Sequence, residues 1–323
     1  MQIASLESAL VRTSMALAPE IKRYLAERAA LGAPEVWQAP LAGLRAASYG
    51  RIITAGVRPK IFSIRDRYIP GPTADLHIRI YQPTAQTHQA GLVYFHGGGW
   101  VLNFLDIYDT QLITLAKMSG SVVIAVNYQK APEHPYPIPF DDCYSTTMWV
   151  HQNSPSLGID PARIGVGGES AGANLAAAVA LKNRDMRAVP LVYQLLINPC
   201  IERDFTTSSY TAYASGYGLS RQGMQWYWEQ YLQGNNHDQD PYACPTTSKD
   251  FSNLPTAIIV TAECDPLKDD GIKYERLLRE AGIHTFYREY EGMIHGFANL
   301  AAITPVAEIA LRDCAEIIRD VNA

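Results

Sequence analysis

The stretch "RIGVGGESAGANLAAAVAL", Arg163–Leu181, sets a short apolar run against a long alanine-rich one, with Gly168-Glu169-Ser170-Ala171-Gly172 between them. The first run reads as a buried strand and the second as a helix, so the serine falls on a sharp strand-to-helix turn. Such a turn gives the serine unfavourable backbone angles and little room. Small residues two before and two after it let the neighbouring elements pass close, and Gly168 and Gly172 meet that demand. The helix that starts beside Ser170 directs free backbone N–H groups and the positive end of its dipole at whatever sits over the hydroxyl, with Ala171 supplying one N–H for a developing oxyanion. Two glycines at this spacing around a serine arise by accident in roughly one chain in ten of this length. The pentapeptide therefore needs company before it means anything.

The surroundings give it a fold. "LVYFH" (Leu92–His96) and "SVVIAVNY" (Ser121–Tyr128) are continuous β-branched runs of the kind that form buried parallel strands, separated by a helical period over Tyr108–Met118. The alternation continues as helix Phe140–His151, strand Arg163–Val166, helix Ala171–Leu181 and strand Leu191–Ile197. It resumes as strand Ala257–Thr261, helix Lys268–Ala281, strand Thr285–Tyr290 and helix Val306–Ile318. Repeated strand–helix units predict an α/β fold with a mostly parallel central sheet and helices on both faces. Upstream, Lys60–Asp66 and Leu76–Tyr81 flank a Pro70-Gly71-Pro72 turn and predict an antiparallel opening to the sheet, after two leading helices over about Leu6–Ala30 and Val36–Ala47. Between Asn198 and about Asn253 the rhythm lapses. "QGMQWYWEQYL" (Gln222–Leu232) predicts a helix there, whose aromatic residues serve either ordinary packing or a lid over a pocket at the sheet's C-terminal edge.

Composition excludes several classes of function. The 323 residues are 47% hydrophobic, enough for a sizeable core, and carry a formal net charge of -5 with no clustered basic field, which argues against nucleic acid and anionic lipid as partners. Five cysteines, Cys143, Cys200, Cys244, Cys264 and Cys314, include no CxxC pair, so reduced thiols in a reducing compartment are expected and no zinc site. Glu7 and Arg12 interrupt the first apolar stretch, and no segment reaches the length of a membrane span; a soluble cytoplasmic protein without a cleaved leader is the expectation.

"YFHGGGW" (Tyr94–Trp100) is the stronger chemical signal. His followed by three glycines arises by chance in roughly one chain in several hundred, and here it closes a buried strand, where Gly97, Gly98 and Gly99 can aim successive N–H groups into one cavity. A dinucleotide loop is excluded because Ser170 stands where the last glycine of that fingerprint belongs, and no P-loop Gly-Lys-Ser/Thr occurs; no cofactor is expected. A nucleophilic serine needs a base, and the chain offers eight histidines. His77 and His88 precede the core alternation, His151 and His284 lie at element boundaries with polar neighbours, and His237 sits in a turn-like run. His96 opens the glycine loop and His134 lies among prolines. His295, in "YEGMIHGFANL" (Tyr290–Leu300), follows the last strand and can return to the same edge as Ser170. In "TAECDPLKDDG" (Thr261–Gly271), Asp265 comes just past a strand end and can fix the imidazole tautomer, cap the following helix, or do both; Glu263, Asp269 and Asp270 are weaker candidates by position.

These residues resemble the hormone-sensitive-lipase-like branch of the α/β-hydrolases, and most closely its bacterial carboxylesterases of acetyl-esterase type. The resemblance runs from about Leu92 to the end. It rests on His96-Gly97-Gly98-Gly99-Trp100, Tyr128 with Ala131-Pro132-Glu133, Gly168-Glu169-Ser170-Ala171-Gly172, Asp265-Pro266-Leu267 with Asp269, Asp270 and Gly271, and His295-Gly296-Phe297. It implies one α/β-hydrolase domain over residues 1–323, with helical cap elements at about 1–50 and 199–253. It implies also a small-molecule ester with a short acyl group as substrate, a Ser170–His295–Asp265 triad and an acyl-enzyme, and an oxyanion held by Ala171 and the Gly97-Gly98-Gly99 loop. An amidase or lactone hydrolase on the same triad is the near alternative, and a non-catalytic small-molecule receptor on the same fold the distant one. The motifs carry nothing about oligomeric state. Two positions depart from the family pattern: Glu169 stands where Asp is frequent, and Gln129-Lys130 where Arg-Leu is commoner.

Overall fold

The alternating apolar runs fold into a single eight-stranded sheet. In a computed structural model describing residues 17–323, the strands are β1 (Ser63–Ile69), β2 (Leu76–Gln82), β3 (Gln89–Phe95), β4 (Val122–Asn127), β5 (Ile159–Glu169), β6 (Leu191–Ile197), β7 (Thr256–Cys264) and β8 (Thr285–Ile294). The leading helices are α1 (Pro19–Ala30), α2 (Leu41–Ala47) and α3 (Arg51–Thr54). Between and after the strands come α4 (Asp109–Ser119), α5 (Ile138–Gln152), α6 (Ser154–Leu157), α7 (Ala171–Met186), α8 (Ser208–Ala212), α9 (Arg221–Leu232), α10 (Lys268–Glu280) and α11 (Val306–Val321). The strand order is β1-β2-β4-β3-β5-β6-β7-β8, antiparallel for β1/β2 and β2/β4 and parallel for every other neighbouring pair.

The continuous apolar runs have a simple cause, because both faces of the sheet are covered. On β4, Val122, Ile124 and Val126 point into one core layer with Phe140, Leu175 and Val179 of α5 and α7, while Val123 and Ala125 point into the other with Leu112 of α4 and Leu311 of α11. On β3, Val93 and Phe95 join the first layer and Leu92 and Tyr94 the second. Parallel strands bring their C-terminal ends to one edge, so the residues that follow Phe95, Glu169, Cys264 and Ile294 come out together.

Several boundaries differ from the sequence reading. The helix expected over Val36–Ala47 begins only at Leu41, because Pro40 has no N–H to donate and restricts the residue before it. The first leading helix starts at Pro19; the expected residues 6–16 lie outside those described. Strand β1 is displaced to Ser63–Ile69 by its pairing with β2, from Ser63↔Gln82 to Ile69↔Leu76. Strand β8 runs on to Ile294 through a register shift against β7, with Cys264 opposite Ile294. Within Asn198–Asn253 the structure forms α8 and α9 and no strand, only an isolated bridge between Tyr217 and Leu219. All five cysteines are buried and unpaired, and among the described residues no helix is long and apolar enough to cross a membrane.

Candidate active site

Ser170 sits between the last residue of β5 and the first of α7 with φ 56° and ψ −120°, a conformation that few side-chain-bearing residues adopt. Its N–H is held by the carbonyl of Ile197 at 2.8 Å, and its own carbonyl accepts from Ala173 and Asn174. The flanking glycines are needed for close approach. A Cβ on Gly172 would lie 1.9 Å from the carbonyl oxygen of Phe95, and one on Gly168 2.3 Å from the backbone of Gly172.

The turn aims the hydroxyl at an imidazole. Ser170 Oγ is 2.9 Å from His295 Nε2, and His295 Nδ1 is 2.7 Å from Asp265 Oδ2. Because an ionised carboxylate only accepts, Nδ1 carries the hydrogen and donates it to Asp265, which leaves Nε2 as the acceptor for the serine O–H. Asp265 is fully buried, and its oxygens are otherwise occupied: Oδ2 also accepts from Asn198 Nδ2 at 3.1 Å, and Oδ1 accepts from the Leu267 N–H at 2.9 Å at the start of α10. Asp265 thus meets the imidazole as expected, but it is not the helix cap: Leu267 holds that position, and Asp265 secures the turn before α10 instead. Asp269 and Asp270, the weaker candidates, point elsewhere: Asp269 accepts from the Ser209 N–H, and Asp270 from those of Ile201 and Glu202. Glu263 accepts from the Gly292 N–H at 2.8 Å and so fixes the bend in β8 that delivers His295.

Burial opposes a charged imidazolium at His295, but Asp265 and then Glu169 outweigh it, and the net effect raises its pKa above the usual 6.5. Glu169 is buried behind the serine. Burial pushes its carboxyl up to about 7 against the opposing influence of His295 and Arg51, with Asp265 adding to the rise. The other histidine at this edge, His96, is held as a neutral group: burial keeps its pKa well below the ordinary value, Nδ1 faces the Gly97 carbonyl at 2.8 Å, and the ring stacks on Tyr128 at 4.4 Å.

The glycine loop lies beside Ser170, and its N–H groups are not equivalent. Gly97 N–H donates to the Tyr108 hydroxyl at 3.0 Å, so it is already engaged; its carbonyl accepts from Asn103 Nδ2 at 3.1 Å. The N–H groups of Gly98, Gly99 and Ala171 have no acceptor among the described residues. This narrows the donor set expected from sequence to those three. Gly98 and Gly99 both take positive φ, 123° and 61°, and a Cβ on Gly99 would run into the Tyr227 ring at 2.1 Å.

A cavity of about 180 Å³ opens over Ser170 and His295. One side is formed by Tyr24, Arg28, Val36 and Arg51 of the leading segment, and the other by Leu219, Met224 and Tyr227 of the inserted one. Helix α9 both packs against the glycine loop and lines the cavity. Trp228 and Tyr231 are buried against Trp100 of the glycine loop, with Trp100 and Tyr231 stacked at 4.2 Å, while Tyr227 and Met224 face the cavity. The leading segment is tied to the same loop by Arg45, whose guanidinium binds both oxygens of Glu133 at 2.7 Å and the carbonyls of Val101 and Ala131. At the second departure from the family pattern, Lys130 Nζ donates to Asn127 Oδ1 at 2.7 Å and to the Tyr128 carbonyl, and burial pushes its pKa down to about 7.

Asn198, Tyr108 and Asn103 were not singled out from the sequence. Asn198 had a readable signal, being the first polar residue after the apolar run of β6 and therefore at the same edge as Ser170. Tyr108 and Asn103 had none, since both lie in an irregular segment after the loop.

Comparison with known proteins identifies the family. A family profile described as alpha/beta hydrolase fold matches residues 92–299. The carboxylesterase NlhH of Mycobacterium tuberculosis is 38% identical over 254 residues, 77% of this chain and 80% of that protein. An ethyl acetate hydrolase of Pseudomonas putida is 34% identical over 73% of this chain and 76% of its own length. Among solved structures, the hyperthermophilic esterase from the archaeon Pyrobaculum calidifontis superimposes with a TM-score of 0.90 at 34% identity, covering 95% of this chain and 99% of that one. The chain belongs to the alpha/beta hydrolase family, alongside these carboxylesterases.

Proposed function

We propose that this hydrolase cleaves carboxylic esters with short acyl groups through Ser170, His295 and Asp265. The observation that carries the reading is the unbroken line from Ser170 Oγ through both imidazole nitrogens to Asp265 Oδ2, with 2.9 and 2.7 Å separations, beside three N–H groups that have no acceptor among the described residues. In acylation His295 Nε2 takes the Ser170 proton as Oγ bonds to the ester carbonyl carbon. The carbonyl oxygen becomes an oxyanion held by the N–H groups of Gly98, Gly99 and Ala171. Collapse breaks the bond to the alcohol, which leaves with the proton from the imidazolium. Water then repeats the sequence on the acyl-enzyme, releasing the acid and restoring Ser170. In this reading the chain is one hydrolase domain, and residues up to about 50 and from about 199 to 253 act as its cap.

The small cavity supports the short acyl group, lying below the roughly 300–1,000 Å³ of sites for larger ligands. The Pseudomonas putida relative, named for ethyl acetate, points the same way. Acetyl and butyryl esters are expected to exceed a twelve-carbon acyl ester in kcat/KM by at least about tenfold, given the ~1–3 kcal/mol that a misfitting methylene costs in a hydrophobic pocket. A p-nitrophenyl ester series measures this, and a preference for the long chain would remove the short-acyl reading.

The base works only when neutral, so activity falls as pH drops through the His295 pKa. With that pKa raised above 6.5, the acid limb of kcat/KM has its midpoint above pH 6.5 rather than below it. Glu169→Gln takes away a negative charge that favours the imidazolium, and the midpoint should move to lower pH. Rate profiles of the two proteins measure it; an upward shift would contradict the role given to Glu169.

A further inference from the structure

The cavity over Ser170 contains charge that ester hydrolysis does not require. Arg28, from α1, and Arg51, the first residue of α3, both line it. Elsewhere in the molecule Arg45 binds Glu133, and Arg79 binds Asp66, Asp106 and Asp109. Arg28 and Arg51, by contrast, have no carboxylate within 4.0 Å among the described residues; Arg28 makes one 3.4 Å contact with the Tyr24 hydroxyl, and the Arg51 guanidinium makes no hydrogen bond among those residues. The acidic groups around the cavity are Glu35, exposed, and Glu169, buried beneath the serine and only partly ionised at neutral pH. Two positively charged, exposed side chains thus line a small cavity that also contains Ser170.

We infer that the substrates of this site are esters carrying a second group that is a carboxylate, placed at the far end of the acyl or alcohol part and held by Arg28 and Arg51. The inference rests on the ester-hydrolase reading and narrows its substrate class. A guanidinium presents a planar fork of donors that matches a carboxylate in two parallel hydrogen bonds, and two such forks lining one cavity give an anion both an address and an orientation. The effect reaches the chemistry as well as binding. The Arg51 charge is felt at Tyr108, Glu169, Tyr227 and His295, where it disfavours the imidazolium that forms as Ser170 gives up its proton. A carboxylate seated on Arg51 cancels that opposition, so the charged ester gains in the transition state beyond what it gains in the ground state.

The test compares charged and neutral esters of similar size in two arms. Monoethyl succinate against ethyl pentanoate places the carboxylate on the acyl side; acetoxyacetate against propyl acetate places it on the alcohol side. Proton release at about pH 8, where the carboxylates are ionised, gives kcat/KM for each. At low ionic strength one charged ester is expected to be favoured about tenfold over its neutral counterpart, the preference shrinking to about threefold or less in ~0.5 M salt as the charges are screened. The double variant Arg28→Gln/Arg51→Gln is expected to lower that ratio about tenfold, as loss of a charge-assisted hydrogen-bond pair would. Charged esters no better than neutral ones in both arms, or a preference that salt and the double variant leave intact, would overturn the inference. The salt series on the unaltered protein decides it even where the variant does not fold. If none of the four esters, charged or neutral, is hydrolysed, the ester-hydrolase reading falls, and this inference with it.

Discussion

Ser170→Ala is expected to lower kcat on an acetyl ester by about 10⁴–10⁶-fold while leaving the fold intact. The size of the loss follows from how the group works. Alanine has no oxygen to attack with, so neither His295 nor the oxyanion donors have a reaction to assist, and what remains is the slow attack of water in a site still able to hold a carbonyl. Residues that act as a unit lose nearly everything together, and His295→Ala is expected to fall to a similar level. The fold is spared because the strained backbone at φ 56° is secured by the Ile197 carbonyl and by the start of α7, and alanine makes the same steric demand at Cβ. Matching circular dichroism and thermal unfolding, set beside ester turnover with contamination excluded, read both halves of this expectation.

Asp265→Asn should cost about 10⁴-fold in kcat, although it changes one atom. The buried carboxylate accepts the Nδ1 hydrogen of His295 and so leaves Nε2 free to take the serine proton. An amide at that position turns its NH₂ toward Nδ1. The hydrogen then moves to Nε2, which donates where it must accept. The Leu267 N–H, which donates to Oδ1 at 2.9 Å, holds the new amide oxygen on its own side and so leaves the NH₂ facing Nδ1, where Asn198 Nδ2 loses its acceptor. Raising the pH is not expected to restore the rate, since the fault is the tautomer and not the charge. Near-normal turnover in Asp265→Asn would mean that Asp265 serves only to secure the turn before α10.

How far the sequence carried the reading depends on what each signal was made of. The parallel part of the sheet was legible because β3, β4, β6 and β7 are apolar on both faces, and continuous apolar runs of that length have few other uses. Ser170, His295 and Asp265 could be named because each comes just past the C-terminal end of a strand, although β8, before His295, is polar over most of its length. Edges were harder. Strand β1, "SIRDRYI", is mostly exposed and takes its register from β2 rather than from any pattern of its own. The end of β8 depends on Gly292 at φ 67° and on its N–H reaching Glu263, a contact between distant residues that no local window contains. The same holds for the glycine loop. Three glycines in a row look alike in sequence, and only the Tyr108 hydroxyl sets Gly97 apart from Gly98 and Gly99. Arg28 and Arg51 had no sequence signal at all, because a single arginine on a leading helix is ordinarily a solvated side chain; both are exposed in the fold, and only the folded chain places them on the same cavity.

Everything proposed for this site returns to one alcohol made nucleophilic by its neighbours. Treatment with a serine-directed phosphonate, followed by mass-spectrometric mapping, tests that most directly. A single phosphonyl group on Ser170, accumulating in step with the loss of ester hydrolysis and missing from Ser170→Ala, is the expected result. Inactivation with Ser170 unmodified, or undiminished turnover once every Ser170 bears the adduct, would contradict it.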